Sequence, residues 1–161
     1  MLASTDDRAI RVHDASGRLI RILRVEVAAE PVSAAAVDAW ADSWISRFST
    51  GDAPLEAWWR HGFRETSPPE RIPVFRSLEV DSEGNVCAER YPLTWESPSR
   101  YWCFSPEGEL LRTLRVPAGL LRRGPHPHMD AQLEIGPTHI LGVWEDAADV
   151  PHVRLYAIRR Q

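Results

Sequence analysis

The chain has 161 residues and a mass of 18.2 kDa, which suits one ordinary domain and excludes a peptide-sized scaffold that depends on disulfides alone. Apolar residues make up 43% and charged residues 26%, as in folded globular proteins, and no stretch reaches the roughly 20 apolar residues of a membrane-spanning helix. The net charge of -4 argues against a general nucleic-acid-binding or anionic-membrane-binding protein.

Residues 10–25 are predicted to form a β-hairpin. Two β-rich runs flank the turn Asp14-Ala15-Ser16-Gly17, whose glycine can adopt a positive φ. In the second run, residues 19–25, apolar side chains occur on both faces, as in a strand packed between two layers. We expect residues 10–31 to supply the outer strands of a first sheet.

Residues 32–72 are predicted to form a Trp-rich helical insertion. Apolar residues recur at spacings of three and four from Ser33, the predicted N-cap, to Phe48. A second short helix is predicted to begin at Asp52, with a proline in its first turn, and to extend to about Phe63. Three prolines then end the insertion: Pro68, Pro69 and Pro73.

The rest of the chain returns to β-structure. Residues 73–116 are predicted to form a second sheet of four strands, and residues 117–131 a loop rich in proline, glycine and histidine. Residues 132–161 are predicted to form a third sheet, with strands at 132–135, 138–145 and 152–159. The whole chain is therefore expected to be one mainly β domain.

A strand-turn-strand unit recurs along the chain. Residues 102–116 align without a gap with residues 11–25, so that Gly108 matches Gly17 and Leu114 matches Leu23. A weaker copy occupies residues 78–87. Repetition of such a unit is the signature of a radial or solenoid β architecture.

The repeat resembles the hairpins of six-bladed β-propeller proteins of the NHL and TolB-like kind. The sequences Leu141-Gly142-Val143-Trp144 and His152-Val153-Arg154-Leu155-Tyr156 are especially similar to uncharacterised bacterial members that carry a helical insertion. The resemblance implies a partial propeller of two to three blades of antiparallel four-stranded sheet with a helical-hairpin insertion. It implies no catalytic or binding residues.

The length is too short for a complete ring. Outside the insertion about 120 residues remain, whereas a four-stranded blade takes about 40 to 45. Because a propeller closes with about four to eight blades, the chain is expected to be incomplete by itself. Either it is the C-terminal part of a longer propeller, or a second copy or another partner completes the ring. Open blade edges would favour self-association.

Two groups of side chains are candidate sites. His126, His128 and Asp130 carry imidazole and carboxylate ligands suited to zinc, although a solvated proline-rich loop is the alternative interpretation. The tryptophans of the insertion could line a pocket for an apolar or sugar-like ligand, or could dock the helices onto the sheet. These tryptophans are Trp40, Trp44, Trp58 and Trp59.

The cysteines and the N-terminus bear on the compartment. Cys87 and Cys103 lack a C-x-x-C spacing, and we interpret them as small apolar strand residues rather than as a disulfide. The first residues lack the basic start and apolar run of a secretory signal, which predicts a cytoplasmic protein. If the chain is a fragment of a longer exported precursor, an extracytoplasmic location is expected instead.

The sequence favours a non-catalytic binding or scaffold module without a cofactor. Its expected partners are a protein or a small ligand bound at the blade faces or the insertion. The alternative is the C-terminal half of a propeller hydrolase or lactonase whose catalytic residues lie mostly outside this chain. None of the common nucleotide-binding or hydrolase motifs occurs in the sequence.

Overall fold

The structure, a computed structural model, describes residues 2–4, 8–28, 30–92, 97–120, 133–148 and 150–159. These residues form ten strands and two helices. The elements are β1 (Leu2–Ser4), β2 (Ala9–His13), β3 (Leu19–Arg24), α1 (Ala34–Phe48), α2 (Ala53–Glu65), β4 (Phe75–Val80), β5 (Val86–Arg90), β6 (Arg100–Phe104), β7 (Leu110–Arg115), β8 (Leu133–Ile135), β9 (His139–Glu145) and β10 (Pro151–Ala157).

The strands form three antiparallel sheets, each in the order of the sequence. The first sheet is β1-β2-β3, the middle sheet β4-β5-β6-β7 and the third sheet β8-β9-β10. This arrangement confirms the mainly β fold with two helices. Four strands occur in the middle sheet only, among the described residues, and β1 is a strand that the sequence patterns did not reveal.

The turns β2–β3, β4–β5 and β6–β7 share one pattern of hydrogen bonds. The Asp14 carboxylate accepts hydrogen bonds from the backbone N–H groups of Ser16 and Arg18, both at 3.0 Å. Asp81 and the Ser105 hydroxyl accept from the corresponding N–H groups in the β4–β5 and β6–β7 turns. A side chain that mimics a backbone turn in this way explains the spacing of the repeat. The glycine three positions later has a φ of +83°, +80° or +95° in the three turns: Gly17, Gly84 and Gly108.

The sheets stack face to face around two apolar cores. Alternate residues of β5 and β6 point to opposite faces, so the middle sheet contributes to both cores. The first core lies between the first and middle sheets and contains Ile10, Leu23, Val25, Val74, Phe75, Val86, Ala88 and Phe104. The second core lies between the middle and third sheets and contains Cys87, Tyr101, Cys103, Leu114, Val116, Ile135, Ile140 and Trp144.

The first strands of the three sheets lie near one another. Strand β4 approaches both β1 and β8, whereas the last strands β3, β7 and β10 carry many exposed residues. Each sheet therefore extends outward from a shared inner region towards solvent.

Strand β3 differs from the expectation of a strand covered on both faces. Leu23 is buried in the first core, but Leu19, Ile20 and Ile22 are exposed. The reason is that β3 is the edge strand of its sheet, and the neighbouring sheet covers it only near its C-terminal end.

Cys87 and Cys103 form a disulfide, so the interpretation of two unpaired cysteines was wrong. The two residues are direct partners in the β5–β6 register, and their Cα atoms are 4.0 Å apart. Both side chains are buried in the second core. Spacing in the sequence could not reveal this pair. The cysteines are opposite each other only because of the register between β5 and β6, and the number of residues that separates them does not determine that register.

Both helices begin and end close to their predicted positions. The Ser33 hydroxyl accepts a hydrogen bond from the N–H of Ala36 at 3.1 Å, and the Asp52 carboxylate accepts from the N–H of Leu55 at 3.2 Å. Of the described helices, neither combines the length and the apolar character needed to cross a membrane.

Candidate ligand-binding cleft

The insertion leaves and re-enters the sheets through a two-stranded stem. The backbone N–H of Val32 donates to the carbonyl of Glu70 at 3.1 Å, and the N–H of Ile72 donates to the carbonyl of Glu30 at 2.9 Å. Arg90 at the end of β5 forms an ion pair with Glu30 at 2.7 Å. The stem therefore fixes the base of the insertion against the middle sheet.

A second contact holds the insertion at its far end. Arg47 in the last turn of α1 forms an ion pair with Glu145 at the end of β9. Both side chains are partly buried, which reduces the screening of this pair by solvent. The insertion is thus connected to both the middle and the third sheets.

Aromatic side chains pack the two helices against each other. Trp44 lies edge-on to Trp59 with ring centroids 4.7 Å apart, and Trp40 lies edge-on to Phe63 at 5.0 Å. Edge-to-face pairs of this kind stabilise by about 0.5–1.5 kcal/mol beyond the area that they bury. Arg64 adds an ion pair with Asp38 at 3.2 Å, and another ion pair joins Arg60 and Asp42.

The four tryptophans proposed as ligand-binding residues therefore occupy three different environments. Trp44 and Trp59 pack in the helix–helix contact, and Trp58 is 67% exposed to solvent. Trp40 contacts Phe63 and also lines a cleft. The structure brings Trp40, Trp44 and Trp59 together through Phe63 and the helix pair, and it leaves Trp58 outside this group.

The cleft lies between the helix pair and the end of the middle sheet and has a volume of about 360 Å³. It opens where the start of α1, the end of α2 and the proline-rich segment after α2 face the chain that leaves β5. Twelve of the described residues line it: Val32, Ala36, Val37, Trp40, Phe63, Thr66, Pro68, Pro69, Ile72, Pro73, Tyr91 and Pro92. The lining is almost entirely aliphatic, aromatic and proline, which favours an apolar occupant.

The hydroxyl groups of Thr66 and Tyr91 interrupt this apolar lining. The Thr66 hydroxyl is engaged, because it donates a hydrogen bond to the carbonyl of Gly62 at 2.8 Å. Burial raises the pKa of the Tyr91 phenol above its ordinary value of 10.0, and the Arg76 charge only partly opposes this effect. Tyr91 therefore stays protonated at neutral pH and can donate a hydrogen bond to a ligand oxygen.

Sequence reasoning found Trp40 but missed most of the other lining residues. Pro68, Pro69 and Pro73 were interpreted as the end of the insertion, and they also form one wall of the cleft. Tyr91 is distant in sequence from the helices, and no pattern linked it to them. The sequence signal that could have indicated the cleft is the high proportion of apolar and proline residues at the two ends of the insertion.

A buried carboxylate lies in the middle sheet, where hydroxyl groups and an arginine of the sheet surround it. Glu89 on β5 is fully buried and accepts hydrogen bonds from the hydroxyls of Ser77 at 2.9 Å and Ser99 at 2.7 Å. The Arg76 guanidinium lies 4.0 Å away and is itself almost fully buried. These partners satisfy the carboxylate across three adjacent chain segments, as a buried charge requires. Its full burial separates it from any substrate in solution.

The proposed metal site cannot be placed. His126, His128 and Asp130 lie outside the described residues. Within the described ranges, no group of three or more His, Cys, Asp or Glu side chains is arranged to hold a metal ion. His152 instead lies beside Asp146, with 2.8 Å between the imidazole Nε2 and the carboxylate Oδ2.

Among the described residues, the walls of the cleft supply apolar contact area and the Tyr91 phenol. None of these lining residues forms an acid–base pair or a nucleophile–base pair with another. Comparison of the chain with protein-family models, with curated proteins and with solved structures gave no match.

Proposed function

We propose that the protein is a non-catalytic binding module of the β-propeller type that holds a small apolar ligand between its helical insertion and its middle sheet. The observation that carries the proposal is the cleft of about 360 Å³ beside Trp40, Phe63 and Tyr91. This volume falls within the range of about 300–1,000 Å³ that is usual for small-molecule sites.

The propeller part of the proposal is supported by the arrangement of the sheets. Three consecutive antiparallel sheets stack face to face, and their first strands lie near one another. The strand-turn-strand unit repeats in sequence and uses the same turn device each time. Radial stacking of repeated antiparallel sheets is the architecture of propellers.

The ligand class follows from the lining. A flat aromatic or alicyclic molecule would contact Trp40, Phe63 and the proline wall, since these side chains offer rigid apolar surfaces. A single carbonyl or ether oxygen on the ligand would accept a hydrogen bond from the Tyr91 phenol. A charged ligand would lose hydration with little compensation in this cleft, so an uncharged ligand is favoured.

Prodan, an uncharged naphthalene ketone whose fluorescence rises in apolar surroundings, tests the proposal. We expect it to bind the wild-type protein and to lose most of its affinity in Ala36→Phe, which fills the cleft. Ala39→Phe is the matched control, because Ala39 lies exposed on the same helix and does not line the cleft. Equal binding by wild type and Ala36→Phe would contradict the proposal.

Tyr91→Phe tests the polar contact separately. Loss of one hydrogen bond is expected to weaken prodan by about 0.5–1.5 kcal/mol, a factor of about 2 to 13 in Kd. The same substitution should leave the binding of an analogue that lacks the ketone unchanged. A similar loss for both compounds would show that Tyr91 acts only through packing.

The compartment proposed for this function is an oxidising one outside the cytoplasm. The buried Cys87–Cys103 disulfide supports this proposal, because disulfides persist in oxidising compartments and are rare in the cytosol. Acid quenching of the native cells, followed by alkylation of the denatured but unreduced protein and mass measurement, is expected to label neither cysteine. Two labelled thiols would place the protein in a reducing compartment.

A further inference from the structure

The outer faces of the first and third sheets lie outside the two cores. The inner face of the first sheet packs against one side of the middle sheet, and the inner face of the third sheet packs against the other side. The two remaining faces are therefore the ends of the stack. Their side chains decide what can cover them.

The outer face of the third sheet is aliphatic. Leu141 is opposite Leu155, and Val143 is opposite Val153, in the β9–β10 register. Val153 is 73% exposed and Leu155 is 66% exposed. On the face of the middle sheet that the third sheet covers, Tyr101, Cys103 and Leu114 are buried. The outer face of the third sheet is an apolar surface of the kind that another sheet covers in the same way.

The outer face of the first sheet combines aliphatic and basic residues. Ile22 and Arg24 flank the inward-facing Leu23 on β3, and Arg11 is opposite Ile22 in the β2–β3 register. Ile20 and Ile22 are exposed. This face therefore offers both an apolar surface and positive charge.

The charges on the outer face of the third sheet have the opposite sign. Glu134 on β8 is exposed and is opposite Leu141, and Glu145 lies on the same face of β9, where it also contacts Arg47. Because Arg47 of the same chain pairs with Glu145, the attraction between the two faces comes from Glu134 on one and the arginines on the other. Contact of the third sheet with a second third sheet would instead bring the Glu134 carboxylates together.

We propose that the partner that covers these faces is a second copy of this chain, with the third sheet of one copy packed on the first sheet of the other. The contact is heterologous, since each copy uses two different faces. Two copies joined at both faces form a closed ring of six sheets in which no apolar sheet end is left exposed. This inference is independent of the ligand cleft, which is formed by other residues.

Sedimentation equilibrium of the full chain at tens of micromolar tests the proposal. We expect a dimer for the wild type and monomers for Val153→Glu and Ile22→Glu, each of which places a charge in both interfaces of the ring. Leu111→Glu is the control for Ile22→Glu, because Leu111 is comparably exposed, at 49% against 40%, but belongs to the middle sheet. This control should remain a dimer.

Two further measurements keep the test decisive. A mixture of Val153→Glu and Ile22→Glu is expected to recover dimers, because one wild-type pair of faces forms between the two variants. Circular dichroism establishes that each variant is folded before its mass is interpreted. A monomeric wild type would overturn the proposal. It would also be overturned if Val153→Glu were monomeric while Ile22→Glu remained a dimer, because that result indicates that two third sheets pair with each other.

Discussion

A short polar side chain at the start of a turn organises four connections between strands. Asp14, Asp81 and Ser105 each accept hydrogen bonds from the backbone two and four residues later. Asp146 does the same between β9 and β10, with the N–H groups of Ala148 at 2.8 Å and Val150 at 3.1 Å. The first three turns were predictable, because a glycine follows at a fixed distance. The fourth was predicted only as a connection, since that glycine is absent.

The turn at Asp146 gives a pH-dependent contribution to stability. The His152 hydrogen bond, with the N–H groups of Val150 and Ala148, lowers the pKa of Asp146 from its ordinary 3.8 to about 2. Since the folded state holds its proton less tightly than the unfolded state, this contribution is complete above 3.8 and is lost as the pH falls through about 2. We expect Asp146→Asn to lower the urea midpoint at neutral pH and to match the wild type near pH 2.

The control for this prediction is Glu107→Gln, which removes an exposed carboxylate from the β6–β7 turn. Its urea midpoint should stay close to that of the wild type at neutral pH. If the difference between Asp146→Asn and the wild type is the same at neutral pH and near pH 2, the ionised Asp146 carboxylate does not stabilise the turn.

At the scale of elements, the two helices were predictable and the cleft beside them was not. Local signals suffice for a helix: Ser33 and Asp52 cap the first turns, and the apolar spacing marks the helical run. The cleft depends on where the segment after α2 meets the chain leaving β5. This is a tertiary contact. It brings Pro68 and Tyr91 to the same cleft, and no local sequence pattern connects residues that far apart in the chain.

Substitution of two tryptophans of the helix pair is expected to have different effects on stability. Trp44→Ala removes contacts with Trp59, Phe48 and Phe63 and is expected to cost about 2 kcal/mol, less than the 3–5 kcal/mol typical of a fully buried aromatic, since Trp44 is half-buried. Trp58→Ala should change stability by less than about 0.5 kcal/mol. Thermal unfolding followed by near-ultraviolet circular dichroism measures both. Equal losses would mean that Trp44 does not hold the helices together.

At the scale of the whole molecule, the middle sheet connects the two cores. The sequence predicted its four strands correctly, because each has alternating or apolar residues between recognisable turns. It did not predict which sheets would have exposed outer faces, because exposure depends on how many sheets stack. The Cys87–Cys103 disulfide was missed for a related reason, since the register of β5 and β6 is set by packing on both sides of the sheet.

Removing the disulfide is expected to destabilise the whole molecule. The bond joins residues 16 apart, and closing a loop of that size contributes about 3 kcal/mol through the unfolded chain. We expect the double variant Cys87→Ala and Cys103→Ala to unfold at lower urea concentration in one transition, because the middle sheet belongs to both cores. Dithiothreitol should shift the wild type in the same direction and leave the variant unchanged. A variant as stable as the oxidised wild type would show that the bond adds nothing to the fold.

Because the two ends of the insertion lie side by side, the insertion can be replaced by another segment. The chain departs at Pro31 and returns at Arg71, and these two residues form a β-bridge with each other. A short turn can therefore join the two ends without moving β3 or β4, and helical hairpins of other lengths can occupy the same place. Because the cleft is built mainly from the insertion, replacing that part would change the shape and lining of the cleft while the sheets keep their cores.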